Sequence, residues 1–242
     1  MLLGAAAGGL VQGLSGFAFG LIAMAFWAWA VPPQLAGPMV VFGWLVGQLL
    51  GLRTVRGHVQ WRRVAPFIIG GFLGVPLGAA LLPHIDQTVF KLLVGALLTA
   101  WSAAMLLIRE LPRLVAGGRL ADGAAGLVGG AMGGIAGLTG PAPILWCTLR
   151  GWDRDVQRAI FQTFNIAMHT LTMTIYVGFG LITGEALRLF ALIAPTLFIP
   201  TLIGARLYRH LSVFAFRRLV LLLLLLSGVM LLGGSLPELL RR

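Results

Sequence analysis

The sequence predicts an all-α, polytopic membrane protein built from two inverted repeats, each a glycine-rich re-entrant hairpin followed by three transmembrane helices. Three observations predict it. Hydrophobic residues make up 59% of the 242-residue chain and charged residues only 10%, against roughly 25% charged in a soluble domain, so the surface must face lipid. The apolar runs approach or exceed the roughly 20 residues that a crossing needs. They show no alternation of period two, and because backbone groups in lipid need internal partners, helices are the remaining choice. Finally, the two halves of the chain resemble each other, and their arginines assign them opposite orientations.

The apolar segments lie at about residues 2–30, 34–52, 64–83, 88–108, 123–148, 156–179, 186–205 and 213–234. Gly9-Leu10-Val11-Gln12-Gly13 of the first segment returns as Gly126-Leu127-Val128-Gly129-Gly130 in the fifth, and Gly16 and Gly20 match Gly133 and Gly137. Further on, Gly78-Ala79, His84 and Phe90 match Gly204-Ala205, His210 and Phe216. Repetition in this order divides a single transmembrane domain, 1–242, into a first repeat over 1–110 and a second over 123–236.

Orientation follows from the basic residues. If all eight segments cross, the 18 Lys and Arg divide ten against eight. If segments one and five instead enter and leave on one side, fourteen share a face and only Lys91, Arg188, Arg241 and Arg242 lie opposite. That bias is what the positive-inside rule demands. The two segments concerned, GGLVQGLSGFAFG and GLVGGAMGGIAGLTGPAP, hold the glycine and proline that a helix break uses. Both termini of this multi-pass protein then lie outside the cytoplasm. The first segment lacks a basic leader, so it reads as a membrane segment rather than a signal peptide.

Charge and cysteine narrow the function classes. A net charge of +11 and a pI of about 11.7 would suggest nucleic acid in a soluble protein. Here arginines in short loops between apolar runs account for it, and no nucleic-acid partner is expected. Cys147 is the single cysteine, with no disulfide partner in the chain and no metal-ligand spacing; neither metal nor cofactor is expected. Asp86, Glu110, Asp122, Asp153, Asp155, Glu185 and Glu238 all fall in loops or at segment ends. Cation and proton carriers commonly place a carboxylate inside the membrane, so an anionic or neutral substrate fits better.

Inverted repeats with broken helices mark secondary transporters, whose half-helix N-termini point at an anion near the midplane. The turns Gly13-Leu14-Ser15-Gly16 and Gly137-Leu138-Thr139-Gly140 are the candidate cradles, with backbone N–H groups and the Ser15 and Thr139 hydroxyls as donors. On segment six, Gln162, Asn165, His169, Thr172 and Tyr176 recur every three or four residues and so share one helical face. Either they line the substrate path or they bond neighbouring helices. Gln48, on segment two, is a candidate for the same cavity. Gly43, Gly47 and Gly51 read as a packing face. His169 is the ionisable group deep in a span that could carry a coupled proton.

These glycine patterns resemble those of the TauE/SafE sulfite exporter family. The likeness runs through GLVQGLSGFAFG and Pro32-Pro33, the basic loop from Arg53 to Arg63, GGFLGVPLGAALLP and GLVGGAMGGIAGLTGPAPILW. It continues through Arg158-Ala159 with Asn165, Gly180-Leu181-Ile182-Thr183, Gly204-Ala205-Arg206-Leu207 and Phe216-Arg217-Arg218-Leu219-Val220. The resemblance implies an inner-membrane carrier, not an enzyme, that exports a small anion such as sulfite, a sulfonate or another sulfur-containing acid. The first hairpin has fewer glycines than the family pattern, which bears on pocket size. The alternatives are a passive anion channel and an intramembrane serine protease using Ser15 and His169, since Gly13-Leu14-Ser15-Gly16 is also similar to a rhomboid motif. A homodimer is compatible with the sequence.

Overall fold

The computed structural model describes residues 1–15, 18–51, 60–107, 117–207 and 213–240, and among them there is no strand. Its helices are α1 (Leu2–Ser15), α2 (Phe19–Ala30), α3 (Pro33–Gly51), α4 (Trp61–Leu81, continued by a 3-10 turn, Leu82–His84) and α5 (Gln87–Leu107). There follow α6 (Gly118–Ala136), α7 (Pro141–Leu149), α8 (Arg154–Gly178), α9 (Gly184–Leu207) and α10 (Val213–Leu240). Each expected apolar segment is helical. The glycine-rich first and fifth are each broken in two.

Local chemistry sets the ends. Val31 leaves α2 in an extended conformation (φ −121°, ψ 129°) because the following proline disfavours helix in its predecessor. Pro33 then opens α3, where a missing N–H is harmless. Asp86 caps α5, its Oδ1 accepting from the N–H groups of Thr88 and Val89 at 2.8 and 2.9 Å. Gly137 stops α6 in the left-handed region, at φ 67°, which glycine enters without a Cβ penalty. The N–H groups of Gly137 and Leu138 close that helix onto Gly133 O and Met132 O.

Both broken segments fold back as helical hairpins. Gly4 and Gly8 of α1 lie against Trp27 and Phe19 of α2, and Trp27 Nε1 donates to Met1 O at 2.8 Å. Gly129 of α6 abuts Pro143 of α7, and Trp146 Nε1 donates to Asp122 Oδ1 at 2.7 Å.

Each hairpin lays its first helix along a helix of the opposite half: α6 runs parallel to α4, and α1 parallel to α9. In the α4–α6 seam, Gly70, Gly74 and Gly78 interleave with Gly126, Gly130 and Gly134, and a Cβ at Gly74 or Gly130 would strike a backbone carbonyl of the facing helix. Close backbone approach of this kind is how helices pack tightly without a hydrophobic drive. In the α1–α9 seam, Gly9 and Gly13 meet Leu197 and Thr201, and Gly204 meets Leu10.

Two further pairs cross the halves in the opposite sense. On α3 and α8, Gly37 lies by Tyr176 and Trp44 by His169, so the helices are antiparallel. On α5 and α10, Gly95 meets Gly228 and Thr88 Oγ1 donates to Glu238 Oε2 at 3.2 Å, again antiparallel.

The main core, with Phe19, Trp27, Met39, Phe90 and Leu98, fills the centre, and a second cluster around Phe67, Phe164 and Met168 lies between α4 and α8. Outward-facing side chains are just as apolar: Ile69, Phe72, Leu73 and Leu77 on α4, and Leu219, Leu222, Leu223 and Leu226 on α10. Apolar faces of this extent fit lipid, not water. Among the described residues, Trp61–His84, Gln87–Leu107, Gly184–Leu207 and Arg218–Leu240 are long and apolar enough to cross a membrane. α8, although 25 residues long, carries the polar stripe and is not among them.

Candidate functional site

Where α6 gives way to α7, the connector meets α8 around a small cavity. It is lined by Gly20 and Leu21 of α2, Trp44 of α3, the stretch Gly137 to Pro141 with Ile144, and Asn165 and His169 of α8. No charged side chain lines it among the described residues. Its volume is about 20 Å³, above the roughly 10–15 Å³ that one water occupies but tight for a four-atom anion.

Three side chains form its polar wall, and all are essentially fully buried: Thr139 (1% exposed), Asn165 (2%) and His169 (1%). Asn165 and His169 are one helical turn apart, so both reach the connector. Thr139 Oγ1 donates to Asn165 Oδ1 at 2.8 Å and lies 3.1 Å from His169 Nε2. A hydroxyl has one proton to give. With that proton on Asn165, the ring must donate from Nε2 to Thr139. Trp44 lies over the imidazole, with ring centroids 4.4 Å apart and planes tilted by 32°.

Several buried polar atoms, His169 Nδ1, Trp44 Nε1, Thr172 Oγ1 and Gln12 Oε1, have no hydrogen-bond partner among the described residues. Each such atom costs on the order of 1–3 kcal/mol, and a native fold tolerates the cost mostly where it serves a role. Gln12 is linked to the same helix as Trp44, donating from Nε2 to Trp44 O at 3.2 Å.

Of the residues singled out from sequence, Gly137, Thr139, Gly140, Asn165 and His169 converge on this cavity. Gln162 and Gln48 do not line it; Gln162 is half-buried and Gln48 buried elsewhere on α3. Tyr176, at the far end of the stripe, bonds a neighbouring helix, its hydroxyl donating to Gly134 O at 2.6 Å. Gly13 lies in the last turn of α1 against Thr201 of α9, a packing contact rather than a turn. Gly16 and the Ser15 side chain lie outside the described residues, and with them the serine half of a Ser15–His169 pair. Gly43 and Gly47 do serve packing, against Phe19 and Gln12.

The connector is also a thinner backbone cradle than its glycines suggest. Leu138 N–H closes α6, and Pro141 and Pro143 have no N–H, which leaves Thr139, Gly140 and Ala142 at the start of α7. One carboxylate departs from expectation. Asp122 is placed inside α6 near its start and is buried, held by Trp146 and by Arg150 at 3.9 Å. Trp44 and Gln12 were missed because an aromatic and an amide on glycine-rich apolar helices read as packing residues. The repeat motif contained Gln12 but assigned it no task.

Apolar helices of membrane-crossing length, folded around a buried, uncharged polar pocket at a helix break, define the class: a polytopic helical membrane protein with the build of a permease. Its family is equally clear. The model of the sulfite exporter TauE/SafE family matches residues 1–231, and the chain belongs to that family, whose members are membrane transporters. No curated protein and no solved structure matches it.

Proposed function

We propose that the protein is a secondary carrier that exports a small sulfur oxyanion, sulfite or a sulfonate, across the inner membrane by alternating access. The observation that carries this reading is the Thr139, Asn165 and His169 cluster beside the break between α6 and α7. A buried site with the Asn165 amide, the Trp44 indole and backbone N–H groups as donors, and no carboxylate among the described residues that line it, suits an oxyanion. Its tightness supports a site that must open to load.

Two inverted repeats supply that motion in this reading. Helices at equivalent places in the two halves, α3 with α8 and α5 with α10, touch and run antiparallel. A two-fold axis lying in the membrane plane requires that; an axis along the membrane normal would make them parallel. The seams exchange partners in the same way, α1 with α9 and α6 with α4. With both hairpins re-entrant, fourteen of the 18 basic residues fall on one face.

The test is uptake of labelled sulfite, sulfoacetate and sulfate into proteoliposomes. Saturable uptake of one of them, reduced at least about tenfold by Asn165→Ala, is expected; flux that never saturates would indicate a channel. Ser15→Ala should weaken transport at most partially. Abolition of a peptide-cleaving activity by that change would indicate a protease instead.

A further inference from the structure

We propose that His169 Nδ1 is a proton site, and that each anion bound in the cavity is accompanied by one proton lying between Nδ1 and an anion oxygen. The inference rests on the carrier reading and deepens it. It starts from the Thr139 hydroxyl, whose single proton goes to Asn165 Oδ1 at 2.8 Å. His169 Nε2, 3.1 Å away, must therefore bring its own proton to Thr139. In the neutral ring, Nδ1 is then a bare lone pair. That atom is buried, has no partner among the described residues, and belongs to a residue lining the cavity.

A lone pair cannot hold an anionic oxygen. The contact becomes attractive in two ways, and both add one proton: the oxyanion arrives as its hydrogen form and donates to Nδ1, or Nδ1 takes a proton and donates to the oxyanion. The proton balance is the same for both, with one gained on binding and one released when the anion leaves.

Among the described residues no charge lining the cavity offers another route. The side chains that line it with His169 are uncharged: Trp44 from α3, Thr139 from the connector, Leu21 from α2 and Asn165 from α8 itself. The neighbouring Met168 turns toward Gly71 of α4. Tyr176 shares the helix but commits its hydroxyl proton to Gly134 O. Trp44 Nε1, also buried without a partner, is a second donor available to the anion, and it carries no titratable proton.

The experiment follows labelled sulfoacetate and lumenal pH together in proteoliposomes, with the membrane potential clamped and protein-free vesicles as the baseline. Proton movement in step with the anion is expected, with a pH gradient driving accumulation that approaches roughly tenfold per pH unit for one coupled proton. His169→Gln keeps an amide donor for Thr139 but cannot titrate; the anion flux left in this variant should carry no proton and should no longer respond to a pH gradient, and residual flux that still moves one proton per anion would overturn the proposal. Saturable anion flux in the wild type without proton movement would overturn this proposal alone. No saturable flux of sulfoacetate, sulfite or sulfate would overturn the carrier reading and this proposal with it.

Discussion

The two halves of the molecule share a scaffold but not a chemistry. Each contributes a hairpin and three long helices, and each hairpin docks on the other half. Yet the cavity's hydroxyl, amide and imidazole all come from the second half, through Thr139, Asn165 and His169, while the first half supplies Gly20, Leu21 and the indole of Trp44. The seams differ as well. Three glycines line each side of α4–α6, whereas α9 brings Gly204 and answers Gly9 and Gly13 of α1 with Leu197 and Thr201. On the reading proposed above, one scaffold is used twice, and the site takes its hydroxyl, amide and imidazole from one half and an indole N–H, that of Trp44, from the other.

The most severe way to break this comparison is to fill the tighter seam. Gly130→Leu puts a side chain where Gly71 backbone stands. Overpacking a core usually costs about 1–3 kcal/mol, but there the neighbours are side chains that yield; a backbone carbonyl on a packed helix does not. Loss of the monodisperse folded species in detergent is expected. Gly233→Leu, at a glycine with open space around it, should leave the elution profile unchanged. Comparable damage from both would mean that the seam is not where the fold is tightest.

The next effect tests the asymmetry of the site. Asn165→Ala should lower transport at least about tenfold, with the protein still folded. Gln48→Ala, on the equivalent helix of the first half, should change it by no more than about twofold, some 0.4 kcal/mol. Equal losses would show that an amide from each half serves the site alike and that the division drawn above is wrong.

Much of this was legible in sequence because membrane helices advertise themselves by length and apolarity. The eight segments, the two that break and the polar face of α8 all follow from runs, glycines and a spacing of three or four. The two similar tetrapeptides are where the reading parted from the structure. Gly137-Leu138-Thr139-Gly140 is a true break, because Gly137 turns left-handed and Pro141 can only begin a new helix. Gly13-Leu14-Ser15 continues α1, its glycine taken up by the contact with Thr201 of α9. That partner lies 188 positions along the chain (201 − 13), and no local pattern announces it. Trp44 was hidden for a similar reason: its part depends on His169 crossing above it.

A smaller effect separates binding from support within the polar wall. Thr139→Val keeps the shape and removes the hydroxyl, leaving Asn165 Oδ1 and His169 Nε2 without their partner. A loss of about 1–3 kcal/mol of stability is expected, seen as a lower Tm in detergent, along with reduced transport. Thr139→Ser should restore both, since it returns the hydroxyl. Restored stability without restored transport would assign the methyl group a role in shaping the pocket.

The smallest change should come from Tyr176→Phe, which tests whether the stripe on α8 has two functions. Asn165 and His169 line the cavity, whereas Tyr176 lies about two turns beyond and gives its proton to Gly134 O at 2.6 Å. Phenylalanine fills the same buried space, so only the hydrogen bond is lost, at a cost of about 1 kcal/mol. Gly134 also belongs to the glycine seam with α4, so this bond fastens α8 to the first helix of the second hairpin. A slightly lower Tm with an unchanged KM for the anion is therefore expected. A raised KM would mean that the hairpin must be held at both ends for the cavity to keep its shape, and the boundary between scaffold and site would move down α8 to include Tyr176.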